Sequence, residues 1–202
     1  MSATGIGAPV KRKEDFRFIT GKGQYTDDIN RPGQTYAAFL RSPHAHATIK
    51  SIDASAARAS AGVLAVLTGD DLAADKVGGL ICGWMIHSKD GSPMKAGAHP
   101  ALALGKVRYV GDHVAVVVAE TLAQARDAVE KIHVDYEVLK PVVTMDQAGK
   151  PGAPVIHDVA PNNQVYDWHL GDKAAVDQAF SKAHHVTKLD LVNNRLIPNA
   201  ME

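Results

Sequence analysis

"KVRYVGDHVAVVVAETLAQARDAVEKIHVDYEVL", Lys106 to Leu139, is the stretch whose reading decides the fold. Its period changes twice. Lys106–Glu120 reads as two short strands joined by a tight turn at Gly111-Asp112. Thr121 and Gln124 then stand at capping-box spacing, where each side chain satisfies a backbone N–H at the other residue. Behind them Leu122, Ala125, Ala128, Val129 and Ile132 recur at helical spacing. "HVDYEVL" returns to a strand with Val134, Tyr136 and Val138 on one face. The expected unit is a helix that lays its Leu122/Ala125/Val129/Ile132 face on one sheet holding both 113–119 and 133–138.

Working outward, "TYAAFL" (Thr35–Leu40) and "HATIKSID" (His46–Asp53) read as strands. Asp53 is the expected N-cap of a short Ala-rich helix over 54–60, with Gly62 just past its end. "VLAVLTG" follows as a buried strand and "DDLAAD" as a turn of helix. Lys76–Pro100, "KVGGLICGWMIHSKDGSPMKAGAHP", reads as a long loop with five glycines and two prolines; such loops tend to be functional or to cover a partner surface. Residues 1–20 form an expected extended N-terminal arm, and 21–34 are dense in turn formers. Residues 139–170, with four prolines, read as a linker or surface crossover. A helix over 173–183, capped by Asp172, is expected to bury Ala175, Val176, Ala179 and Phe180, with a strand over 184–192 behind it. Strands and helices alternate irregularly, so the fold class is α+β, a mixed α/β domain.

Composition removes several function classes. Lys+Arg and Asp+Glu balance at 22 each, so no net basic field attracts nucleic acid and no polybasic run marks a membrane surface. The longest apolar run, "HVAVVVAE", is far too short for membrane insertion as a helix. Cys82 is the single cysteine, which excludes an internal disulfide and points to a reducing, cytoplasmic location. The N-terminus carries no apolar signal region and no twin arginine.

The residues offer no self-evident active site. His44 and His46, in "RSPHAHATIKSID", share a strand face if that strand begins early, yet a zinc site needs about three or four protein ligands. Nearby Asp27, Asp28 and Asp53 stand at no ligand spacing, so a hydrogen-bonded pair is the expected role. His184 and His185 are adjacent and face opposite ways on a strand. Gly21-Lys22-Gly23 is a plain turn and not a phosphate loop. His113 is expected to be structural, and Cys82 a buried small hydrophobe. Asp27-Asp28 and Asp70-Asp71 sit beside turns or helix starts, where Asp caps backbone N–H groups. No catalytic, cofactor-binding or metal-binding residue is assigned, and neither a G-x-S-x-G elbow nor an HExxH is present.

Five stretches in this order, "KRKEDFRFITGKGQYTDDI", "AAFLRSPHAHATIKSIDASAA", "GVLAVLTGDDL", "KVRYVGDHVAVVVAET" and "NNRLIPNAME", resemble the N-terminal part of the molybdenum-binding large subunit of the xanthine dehydrogenase/aldehyde oxidase family. Bacterial carbon monoxide dehydrogenase-like large chains are the nearest likeness. The resemblance implies an α/β hammerhead domain over 21–138 and the start of a molybdopterin-binding domain over 171–202. It implies a molybdenum hydroxylase, an oxidoreductase acting on CO, an aldehyde or an N-heterocycle with water as oxygen source. The complete subunit would carry molybdopterin cytosine dinucleotide with molybdenum. FAD would lie on a medium subunit and the 2Fe–2S clusters on a small one; one cysteine cannot supply the four ligands of a cluster.

The family's catalytic glutamate and most pterin contacts lie in later segments, so no residue is carried over and the chain alone is expected to be inactive and to bind no cofactor. Its role is scaffold and interface, with loop 77–100 contacting the remainder of the large subunit through Trp84 and Met85. Residues after about 160 are expected to dock poorly on the hammerhead in the isolated chain. A truncated gene product, a fragment and one part of a split subunit all stay open. The alternative is a non-catalytic interaction module, a relic that keeps the hammerhead fold.

Overall fold

The computed structural model describes residues 5–9 and 11–193. Two compact units are distinguished, Thr35–Val186 and a second formed by Met1–Gln34 with Thr187–Glu202. The first contains two three-stranded antiparallel sheets. In one, β1 (Tyr36–Arg41), β5 (His113–Ala119) and β3 (Val63–Thr68) lie in the order β1-β5-β3. In the other, β4 (Lys106–Val107), β2 (Ala47–Asp53) and β6 (His133–Val138) lie in the order β4-β2-β6. The mixed α+β class is borne out.

Strand β5 explains the arrangement. Its "HVAVVVA" run is apolar at nearly every position because both of its faces are covered. Ala115, Val117 and Ala119 point into a core with Ala54, Ala57, Val66, Ala125, Ala128 and Ile132. Val114 points the other way, into a core with Ala47, Ala103 and Val107. Leu40, Ile52 and Val134 pack against both. Burying one valine contributes roughly 1.5–3 kcal/mol, so β5 is the strand on which stability concentrates.

Helix α4 (Leu122–Val129) starts as its residues dictate. Thr121 Oγ1 accepts the Gln124 N–H at 3.2 Å, and Gln124 Oε1 accepts the Thr121 N–H at 3.0 Å. It packs on β1, β5 and β3 through Ala125 and Ala128, small residues that let the helix approach closely. Leu122 is more exposed than expected. A second capping box opens α3 (Gly69–Ala74), where Thr68 and Asp71 exchange the same pair of bonds.

Two expectations about this stretch are corrected. Residues 106–120 are not a hairpin, and 113–119 and 133–138 do not share a sheet. Strand β5 has both edges taken, by β1 and β3, so neither β4 nor β6 can pair with it. Both pair with β2 instead, Ala47 facing Val107 on one side and Val138 on the other. Turn 108–112 therefore carries the chain from one sheet to the other, held by Arg108 N–H on Asp112 Oδ2 (3.0 Å) and Gly111 N–H on the Ser42 carbonyl (2.8 Å).

Helix α2 (Ser55–Arg58) is one turn, shorter than 54–60, with Ala54 and not Asp53 at its N-cap. Asp53 instead accepts the Ser55 N–H at 2.9 Å in an Asx-type turn. Residues 139–170 include α5 (Met145–Ala148) and the buried Ala160. Helix α6 (Lys173–Ser181) is capped as expected, Asp172 Oδ1 accepting the Ala175 N–H at 3.0 Å, but none of its residues is buried and Val176 and Phe180 stay in water. The expected strand over 184–192 does not form; neither sheet of the described residues includes this segment, and a strand without a neighbour leaves its backbone groups unpaired.

In the second unit, the expected extended arm contains a one-turn helix, α1 (Asp15–Ile19). The rings of Phe18 and Tyr25 stack at 5.4 Å over Gly23. Asp28 Oδ2 accepts the Tyr25 N–H at 2.9 Å, so this acidic pair shapes a turn. "RLIPNAME" and residues 1–4 and 10 lie outside the described residues.

Candidate functional site

The long loop lies against the sheet-to-sheet turn, and the two wall a cavity of about 670 Å³. That is within the usual range for a binding pocket. Leu80, Ile81, Met85 and Met94 line it from the loop, Arg108 and Tyr109 from the turn. His157 and Val165 close it from the segment expected as a linker.

Backbone bonds give this loop its shape. Leu80 N–H donates to the His99 carbonyl at 2.7 Å, joining its ends. A Cβ at Gly79 would sit 2.6 Å from that same carbonyl oxygen, so only glycine permits the closure. Met94 N–H on Ile86 O (2.9 Å) and Ser88 N–H on Ser92 O (2.8 Å) fold the middle back on itself.

Residues 148–167 clasp the loop from outside. Lys95 N–H donates to Val165 O at 3.0 Å, and Lys89 N–H to Asp167 O at 2.8 Å. Lys89 Nζ also meets the Asp167 carboxylate at 2.6 Å, which raises the lysine pKa. Asn163, at a positive φ of 57°, accepts the Ile156 N–H at 3.0 Å and donates to Ala148 O and Pro154 O. Arg108 Nε donates to Ile156 O at 3.1 Å, joining this clasp to the turn. Residues 163–167 are thus docked, against the expectation of poor docking beyond about 160; the exposed helix α6 is where that expectation holds.

The sequence-singled residues are dispersed. His46 is buried just before β2, its Nδ1 3.0 Å from the Lys140 carbonyl and its Nε2 without a hydrogen-bond partner among the described residues. His44 meets the Tyr136 ring edge-on at 5.0 Å. Because β2 starts at Ala47, the strand-face argument for the pair does not apply. His113 packs on Phe39 at 4.8 Å, and burial lowers its pKa. Cys82 is exposed on the cavity's loop wall, its S–H directed at the Trp84 carbonyl, which corrects the expectation of a buried hydrophobe. Trp84 and Met85 are both exposed. Asp70 and Asp71 occupy the first turn of α3, and the Asp71 carboxyl is held below its ordinary pKa by its bond to Thr68.

Sequence reasoning missed Arg108, Tyr109 and His157. In the chain they look like ordinary turn and linker residues; their convergence depends on the crossover between sheets. Burial, then Arg108, lowers the His157 pKa, and burial with Asp112 raises that of Tyr109. Among the described residues no three His, Cys, Asp or Glu side chains group around a possible metal.

The model for the aldehyde oxidase and xanthine dehydrogenase a/b hammerhead domain matches residues 20–140. The chain belongs to the aldehyde oxidase/xanthine dehydrogenase family. The carbon monoxide dehydrogenase large chain of Afipia carboxidovorans is 38% identical over 211 residues, covering 98% of this chain and 25% of that protein. The nicotine 6-hydroxylase large subunit of Paenarthrobacter nicotinovorans is 40% identical over 183 residues, 90% of this chain and 21% of that one. Among solved structures, reconstituted CO dehydrogenase from Oligotropha carboxidovorans superposes with a TM-score of 0.70 at 39% identity, over 90% of this chain and 23% of its own. The chain thus spans about a quarter of the length of these relatives. The family and hammerhead resemblance read from the sequence is borne out.

Proposed function

We propose that this chain is the N-terminal scaffold portion of a molybdenum hydroxylase large subunit, with hammerhead residues 21–138 leading into a cofactor domain from about 171. The observation that carries this reading is the match along nearly the whole chain to about a quarter of a CO dehydrogenase large chain. The substrate of the complete enzyme would be CO, an aldehyde or an N-heterocycle, hydroxylated with oxygen from water. Its partners would be the remainder of the large subunit, an FAD-binding medium subunit and a 2Fe–2S small subunit, in the cytoplasm.

The complete subunit would carry molybdopterin cytosine dinucleotide with molybdenum, but the residues described here do not fit that group. The cavity sets its three cations, Lys95, Lys106 and Arg108, in a mainly apolar wall, its one thiol, Cys82, points its S–H at a backbone carbonyl, and no three His, Cys, Asp or Glu side chains group to hold a metal among the described residues. No catalytic step is therefore derived for this chain. Its residues shape the hammerhead, present loop 77–100 and hold it with the 148–167 clasp.

The test is purification from a molybdenum-replete host, once as the 202-residue chain alone and once with the remainder of a large subunit supplied. Molybdenum and pterin are expected in the second preparation and not in the first. Stoichiometric cofactor on the lone chain would overturn the scaffold reading.

A further inference from the structure

We propose that the cavity between loop 77–100 and turn 106–112 is a docking groove for an acidic, apolar polypeptide segment of the remainder of the large subunit. The inference rests on the large-subunit reading above and adds the chemistry of the partner.

Charge is the first argument. Lys95, Lys106 and Arg108 all line the cavity. None of the three is in an ion pair with a carboxylate among the described residues. Asp112 is the one carboxylate in the lining and accepts the Arg108 backbone N–H at 3.0 Å, so the cations outnumber it three to one. The Arg108 side chain is anchored by its Nε on Ile156 O at 3.1 Å and more weakly by Nη1 on the Lys106 carbonyl at 3.4 Å, which leaves the Nη2 edge of the guanidinium for an incoming acceptor. A groove in which cations outnumber carboxylates selects an anionic occupant.

Shape is the second. The apolar surface does not stop at the cavity mouth. Ile81 is 93% exposed and Trp84 80%, with Leu80 and Met85 also in water. A contiguous apolar rim of this kind marks an interaction site. A molecule sized to the cavity alone would leave Trp84, outside its lining, solvated, whereas a chain segment crossing the groove covers it. The relatives supply such chain, since this one spans only 25% of the CO dehydrogenase large chain. The groove is also held open in advance, its walls tied by Leu80–His99, Lys95–Val165 and Arg108–Ile156 bonds, so little ordering cost falls on docking.

The experiment is a peptide array that tiles the Afipia carboxidovorans CO dehydrogenase large chain beyond its aligned region, probed with the full 202-residue chain. Affinities of bound peptides are then measured by fluorescence anisotropy. Bound peptides are expected to combine apolar residues with Asp or Glu. Arg108→Glu should weaken them by about tenfold or more and raised salt should weaken them further, while Lys95→Glu, at an exposed loop position, should weaken them about threefold. Circular dichroism checks that both variants fold, and Lys95→Glu keeps the test valid if Arg108→Glu does not.

Equal binding of neutral or basic peptides would overturn the proposal, as would affinities unchanged in the folded variants or no peptide binding at all. Binding of 2-naphthoate without any peptide binding would also overturn it, in favour of a small-molecule pocket. The molybdenum assay reads the larger hypothesis separately. Cofactor acquired without peptide binding sinks only the groove; acidic peptides bound without cofactor acquisition sink the large-subunit reading and leave the groove's chemistry standing.

Discussion

Helices α4 and α6 look alike as sequences and differ as structure. Each begins at a side-chain cap, Thr121 or Asp172, and each carries a stripe of small and apolar residues at helical spacing. Ala125 and Ala128 of α4 are fully buried against β5, whereas Val176 and Phe180 of α6 remain 51% and 59% exposed. An amphipathic stripe states that a helix needs a partner surface; it does not provide one. For α4 the partner is folded from neighbouring segments of the same chain. For α6 no such surface exists among the described residues of its unit, and the larger relatives have three quarters of their length still to contribute.

The largest effect expected from this contrast comes from one carboxylate placed in each half. Val117→Asp would bury an unpaired charge between β5 and α4 and should cost about 3 kcal/mol or more, enough to unfold a marginal domain. Val176→Asp should leave the urea midpoint within about 0.5 kcal/mol of the parent. A large loss from the α6 change would show that this helix is coupled to the core after all.

The caps give a finer version. Thr121→Ala removes a capping box on a buried helix and should lower global stability by about 1 kcal/mol. Asp172→Ala should reduce helical ellipticity with little change in the chemical-denaturation midpoint, because α6 melts without exposing core. Equal shifts from both substitutions would erase the distinction between the helices.

Opening of the loop region should be separable from unfolding of the sheets. Asn163→Ala deletes one acceptor and two donors that hold the clasp, a loss of about 1–3 kcal/mol confined to residues 148–167 and the loop they cover. Faster proteolysis near 77–100 with an unchanged global midpoint is the expected readout. A matching drop in the midpoint would make loop and sheets one cooperative unit.

The smallest effect is a pH slope. Burial lowers the folded-state pKa of His113 below its ordinary 6.5, so the unfolded chain binds a proton more readily. Stability is then intact above pH 6.5 and falls as pH drops from there toward the depressed folded value. His157 contributes with the same sign. His113→Gln should flatten part of the slope in denaturant midpoint between pH 7 and 5. An unchanged slope would show that His113 does not remain neutral in the fold.

Much of the local structure was legible because its causes are local. The Thr121–Gln124 spacing, the helical recurrence behind it and the apolar "HVAVVVA" run each set an element through interactions within a few residues. The motifs behind the hammerhead assignment are likewise contiguous. The candidate cavity was not legible. Loop 77–100 was visible as a loop, but Arg108 and His157 are separated in the chain and meet through the crossover and the clasp.

By itself, then, the sequence determined the strands of the two sheets, the helices α3, α4 and α6 with the starts of α4 and α6, and the family to which the chain belongs; it did not determine α1 or α5, or that 184–192 stays out of both sheets. Tertiary structure alone decided that β5 spends both edges on β1 and β3, which excludes the 106–120 hairpin and sends β4 and β6 to β2. It also decided that α4 is buried and α6 is not. Caps and periodicity are short-range properties, readable from spacing, while edge occupancy and burial depend on which distant segments fill a finite number of hydrogen-bonding and apolar positions.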